Sequence, residues 1–116
     1  MEGTVLWQLL KLDDAVLRIL KDIARPSKAI SEATLVYQDL LISGDDATEL
    51  IDRIQKECGT SFQGFPFGDY FPDETESLFY RITHLFGRNS KKNLTVGHLL
   101  KVVEAGKWYE DAAGKR

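Results

Sequence analysis

Asp39-Leu40-Leu41-Ile42-Ser43-Gly44-Asp45-Asp46-Ala47-Thr48-Glu49-Leu50 reads as a turn feeding an acidic helix, with one serine at the helix mouth. Ala47, Leu50, Ile51, Ile54 and Cys58 continue from it at helical spacing. Residues three and four apart share a face of an α-helix, so these five make one apolar stripe. Asp45, Asp46, Glu49, Asp52, Arg53 and Lys56 fall mainly on the other side, and Gly59 supplies a natural C-terminal stop. Ser43 is followed three positions later by Asp46, close to a capping box with Asp in place of Glu. Its hydroxyl is therefore expected to accept one of the free N–H groups of the first turn.

Working back from this helix, Lys28 to Ile42 shows no regular period and reads as a long structured connection rather than a strand pair, with Leu35, Leu40, Leu41 and Ile42 available to pack. Upstream, Val16, Ile19, Leu20 and Ile23 predict a helix over Asp13 to Ala24. Asp13 and Asp14 favour its positive end. Arg25-Pro26-Ser27 ends it, because the residue before proline is pushed out of helical geometry. Val5, Leu6, Leu9 and Leu10 either extend this helix or form a separate turn.

Working forward, Gly59 to Pro72 is a loop dense in aromatics: Phe62, Phe65, Phe67, Tyr70 and Phe71, broken by Gly64, Pro66 and Gly68. Exposing so many rings would create a sticky patch, so the loop is expected to fold back on the core. Pro72 suits the first position of a third helix that carries Leu78, Phe79, Ile82, Leu85 and Phe86 inward and ends near Gly87. After a basic loop of Arg88, Lys91 and Lys92, Thr95 is placed to cap a fourth helix with Leu99, Val102 and Val103 inward and Gly106 at its end. Trp108 and Tyr109 then lie back on the bundle. The expected fold is all-α, a four-helix bundle with a long first connection. A single domain over residues 1–116 is anticipated, with its core at about 13–109, an N-terminal extension over 1–12 and a frayed tail over 110–116.

The 116 residues are 43% hydrophobic and 28% charged, ordinary for a globular chain. A formal charge of -3 disfavours nonspecific nucleic-acid binding, which needs clustered Lys and Arg. Apolar runs are too short for a membrane span, and no export signal is readable at the start. One cysteine, Cys58, closes no internal disulfide, which fits a reducing cytoplasm and inert packing. His84 and His98 fall on different predicted helices with no metal-ligand spacing, so no metal site is expected. No nucleophile, base and charge stabiliser can be named together, and no catalytic residue is assigned.

Four pieces of the chain together resemble an acyl carrier protein. They are Leu35 with Asp39-Leu40; Gly44-Asp45-Asp46-Ala47 with Glu49-Leu50; Tyr70-Phe71-Pro72-x-Glu74; and Leu94-Thr95-Val96-Gly97 through Ala105-Gly106-Lys107-Trp108. More narrowly, the chain resembles a family of small uncharacterised bacterial proteins of acyl-carrier-like type, over roughly Asp13 to Trp108. The resemblance implies an acyl-carrier-like bundle. In carriers, an Asp-Ser-Leu motif opens the second helix and its serine receives phosphopantetheine from coenzyme A. Setting Glu49-Leu50-Ile51 against the carrier pattern Glu-Leu-Val puts Gly44 at the serine position, with Ser43 at the aspartate and Asp45 at the leucine.

Glycine has no hydroxyl to modify, so the resemblance implies a carrier-like, non-enzymatic protein without the cofactor. Asp45, Asp46, Glu49 and Asp52 would then form a docking surface for protein partners with basic patches. The plainer reading of the four acids is a solvated helix face favoured by the helix dipole. Two alternatives stand beside the carrier-like reading: a genuine carrier with phosphopantetheine on Ser43, one residue out of register, and a small regulatory or inhibitory protein reusing the fold.

Overall fold

The structure is a computed structural model describing residues 2–71 and 92–110, with side chains described from residue 10 onward. Four helices run through the described residues: α1 (Glu2–Ala24), α2 (Asp45–Cys58), α3 (Phe67–Tyr70) and α4 (Val96–Ala105). Among the described residues the only β features are two isolated bridges, so the chain is helical as its periodicity implied. The expected third helix over Pro72 to Gly87 and the basic residues Arg88 and Lys91 lie outside the described residues, as does the tail beyond residue 110.

α1 is one continuous helix of 23 residues that begins well before Asp13, so Val5, Leu6, Leu9 and Leu10 extend the helix, the first of the two readings their pattern allowed. Asp13 and Asp14 are acidic residues in mid-helix, not a start signal. Between Val5 and Leu12 no proline or glycine interrupts helical geometry, and a dipole preference without a breaker does not end a helix. The other end behaves as expected. Arg25 leaves the helix at φ 48°, its N–H still bonded to the Lys21 carbonyl at 2.9 Å, and Pro26 follows.

α2 packs antiparallel to α1. Arg18 Nη2 stands 2.8 Å from Glu57 Oε1, while Arg53 Nη2 stands 3.3 Å from Asp22 Oδ2. Low numbers on α1 thus meet high numbers on α2, which brings the start of α2 to the end of the molecule where α1 finishes. Ala47, Leu50, Ile51 and Ile54 are buried as their spacing required, against Val16, Ile19 and Leu20 in the same core. Gly59 closes α2 in the left-handed region (φ 71°), its N–H bonded to the Gln55 carbonyl.

The connection from Arg25 to Gly44 is held by backbone bonds to the start of α4. Val36 N donates to Leu94 O at 2.9 Å, Val96 N to Thr34 O at 2.8 Å and Gly97 N to Glu32 O at 2.9 Å. The bonds from Val96 and Gly97 satisfy N–H groups that a helix start leaves open. Thr95 Oγ1 accepts from His98 N at 3.0 Å, the expected cap. The connection also contributes Val36, Tyr37 and Ile42 to the core, Tyr37 at 4% exposure.

The aromatic loop folds back as anticipated. Phe65 meets Trp108 edge-on at 4.6 Å, Phe62 stacks on Trp108 at 6.4 Å, and the reciprocal bonds Ser61 N to Gly106 O and Trp108 N to Ser61 O fasten the two segments. Trp108 therefore lies on the bundle as expected, whereas Tyr109 remains 37% exposed. Within the loop, Phe67–Tyr70 makes one short helical turn, α3, where only irregular backbone was expected. Its rings pack inward, with Tyr70 and Phe71 buried.

Candidate functional site

The start of α2 is built from Asp39 upward. Asp39 Oδ2 accepts from Leu35 N at 2.8 Å while Asp39 N donates to Leu35 O, closing a tight turn. Leu41 N donates to Tyr37 O, and Leu41 itself takes φ 59° with its side chain 68% exposed. A bulky residue in the left-handed region is uncommon. Ile42 then turns back into the core at 1% exposure, and Ser43 is half-buried.

Gly44, not Ser43, is the N-cap of α2, with φ 56° and ψ -129° and no side-chain capping bond. This corrects the capping role expected of the Ser43 hydroxyl. Gly44 takes a backbone conformation open almost only to glycine, and the helix consequently starts one residue later than the sequence pattern suggested. Main-chain oxygens serve the first turn instead: Ser43 O accepts from Asp46 N at 3.1 Å, and Gly44 O accepts from Thr48 N at 3.1 Å. Ser43 thus sits just before the helix, outside the cap position.

Asp45, Asp46, Glu49 and Asp52 are all exposed, as the docking and solvated-face readings both require. At 100° per residue, Asp45, Glu49 and Asp52 fall within about 60° of arc, with Asp46 to one side. The four differ electrically. Glu49 lies 3.8 Å from Arg53, and Asp52 lies 3.0 Å from Lys56. Asp45 and Asp46 have no cationic partner among the described residues, so the less compensated negative charge stands at the helix start, where the dipole favours it. Glu57, further along, is held below the usual carboxylate range, chiefly by its hydrogen bond from Arg18.

An open groove of about 530 Å³ adjoins this start, bounded by Ala24, Pro26 and Lys28 on one side and by Leu40 and Leu41 on the other. A second, of about 360 Å³, shares Pro26, Lys28 and Ala29 with it and adds Lys21, Arg25 and Ile30. Nothing in the residue pattern of 24–41 announced these grooves. The only local sign was an irregular apolar run broken by Pro26.

His98 is buried, and Cys58 packs partly buried against the core. His98 is 5% exposed; its ring lies tilted against Trp108 at 5.0 Å, with Nε2 3.0 Å from the Tyr109 carbonyl. A carbonyl only accepts, so Nε2 carries the proton. His84 lies outside the described residues. Burial, followed by repulsion from Glu57, pushes the Cys58 thiol up, away from nucleophilic thiolate. Among the described residues no His, Cys, Asp and Glu converge to hold a metal, and no helix is long and apolar enough to cross a membrane.

No curated protein and no solved structure matches this chain. The family described as "protein of unknown function (DUF1493)" matches residues 5–111, nearly the whole chain, and the chain belongs to that family.

Proposed function

We propose that this chain is a non-enzymatic, acyl-carrier-like protein that works without phosphopantetheine, through protein contacts of the acidic start of α2. The observation that carries the reading is the pairing of an exposed, acidic first turn with Gly44 where the carrier resemblance would put the modified serine. An acidic helix start raises encounter rates with a basic partner surface and sets its orientation. Asp45 and Asp46 supply most of that field, because Arg53 and Lys56 partly offset Glu49 and Asp52.

The test has two arms. Intact mass is measured after coexpression with a phosphopantetheinyl transferase of broad specificity; unchanged mass is expected. A stoichiometric adduct of one phosphopantetheine group overturns the reading, and mapping it to Ser43 makes the chain a genuine carrier. In the second arm, partners captured by the parent chain are compared with those captured by an Asp45→Lys/Asp46→Lys variant. Loss of acyl-synthesis enzymes on reversal is the expected result, and their retention sinks the docking surface. Capture of unrelated proteins alone favours a regulatory role.

A further inference from the structure

The end of the molecule around Leu41 carries both signs of charge about an apolar centre. Lining the second groove stand the cations Lys21, Arg25 and Lys28, all exposed and none paired with a carboxylate among the described residues. At the centre lie the two adjoining grooves and Leu41, 68% exposed. At the same end stand Asp45 and Asp46, both exposed and brought there by the antiparallel packing of α1 and α2. Asp39 also borders the larger groove, but its carboxylate is engaged by Leu35 N.

We propose that this end is a self-complementary surface on which a second copy of the chain docks about a two-fold axis passing near Leu41. A partner surface of one sign satisfies either Asp45 and Asp46 or Lys21, Arg25 and Lys28, but not both sets. The fitting occupant carries both signs in the reverse order. A copy turned by 180° supplies this, since a two-fold contact sets each patch against itself reversed. Acids of each copy then face cations of the other while Leu41 enters the opposite groove. The contact gives the left-handed Leu41 a purpose: backbone strain that holds an apolar side chain in water is repaid when that side chain is buried. This inference does not rest on the carrier reading.

The test is molar mass by light scattering across a concentration series of the full chain, at low and at high salt. The expected result is a rise from 13.1 kDa toward twice that mass at low salt, with weaker association at high salt as the charge pairs are screened. Leu41→Asn, which suits the left-handed backbone better, is expected to abolish the dimer while leaving the urea midpoint unchanged or raised. Lys21→Glu/Arg25→Glu/Lys28→Glu and Asp45→Lys/Asp46→Lys are each expected to be monomeric alone and to associate one-to-one when mixed, because the first then presents acids and the second cations in both parts of the patch. Monomer mass for the parent chain at every concentration overturns the proposal. So does a dimer that survives Leu41→Asn, or a mixture of the two reversal variants that fails to associate.

Discussion

Gly97 N donates to the Glu32 carbonyl at 2.9 Å, and a Cβ built on Gly97 would stand 3.1 Å from both that oxygen and the Glu32 Cβ. The first turn of α4 thus approaches the connection so closely that a side chain there pushes against backbone. The same hydrogen bond prevents easy retreat. Alanine would add helix propensity of about 1 kcal/mol, which partly offsets the crowding. Gly97→Ala is expected to lower stability by about 1 kcal/mol and Gly97→Val by about 2–3 kcal/mol, read as shifts in the urea midpoint at unchanged slope.

Gly44→Ser tests whether a hydroxyl can simply be returned to the place the carrier resemblance assigns it. At φ 56° and ψ -129° any side chain is strained. The variant is expected to lose about 1–2 kcal/mol and to melt several degrees lower. A Gly44→Ser variant as stable as the parent would show that α2 starts in a different conformation.

Asp13 makes stability depend on pH. Its carboxyl is raised above its ordinary value of 3.8, first by burial, then by repulsion from Glu104, with a hydrogen bond to Glu104 and repulsion from Asp14 and Glu32 adding to it. The folded state therefore holds this proton more tightly than the unfolded chain. Its contribution is fully present below pH 3.8 and is lost as pH rises through the raised folded value. Asp13→Asn keeps a neutral partner for Glu104 at all pH. It is expected to be more stable than the parent near neutrality, with the difference shrinking as pH falls toward the ordinary carboxyl range. Urea midpoints of both chains along a pH series measure this.

Trp108→Ala removes the ring that Phe62, Phe65, Tyr70 and His98 all contact. A loss of about 3 kcal/mol is expected. Residues 106–110 should detach first, because Trp108 anchors the segment that pairs with Ser61. Amide exchange at Ser61 and Trp108, whose N–H groups make the two bonds of that pairing, should rise more than at Leu50 in the core.

The stripe of α2, its stop at Gly59, the Thr95 cap and the Gly106 stop were legible in the residues because each is a local matter. Side-chain period decides which face is buried, and a left-handed C-cap or a hydroxyl at an N-cap acts within one turn. The acidic patch was legible for the same reason. Its division into compensated and uncompensated acids depended on which rotamers Arg53 and Lys56 adopt, and spacing alone does not determine them.

Tertiary structure decided the rest. It buried His98 under Trp108, ten residues further along the chain, and set the connection against the start of α4 through bonds from Val36, Val96 and Gly97 that no local pattern encodes. It also changed the meaning of the opening stretch. Ser43 looked like a cap because serine before an acid usually is one, but the path of the chain from Ile42 in the core to α2 required a left-handed residue, and Gly44 took the cap position. The sequence by itself determined that an acidic, glycine-preceded helix exists here. Only the folded chain, by packing α2 antiparallel to α1, brought that helix start to the same end as Leu41 and the cations of Lys21, Arg25 and Lys28, because long-range packing and not residue order sets which surfaces are neighbours.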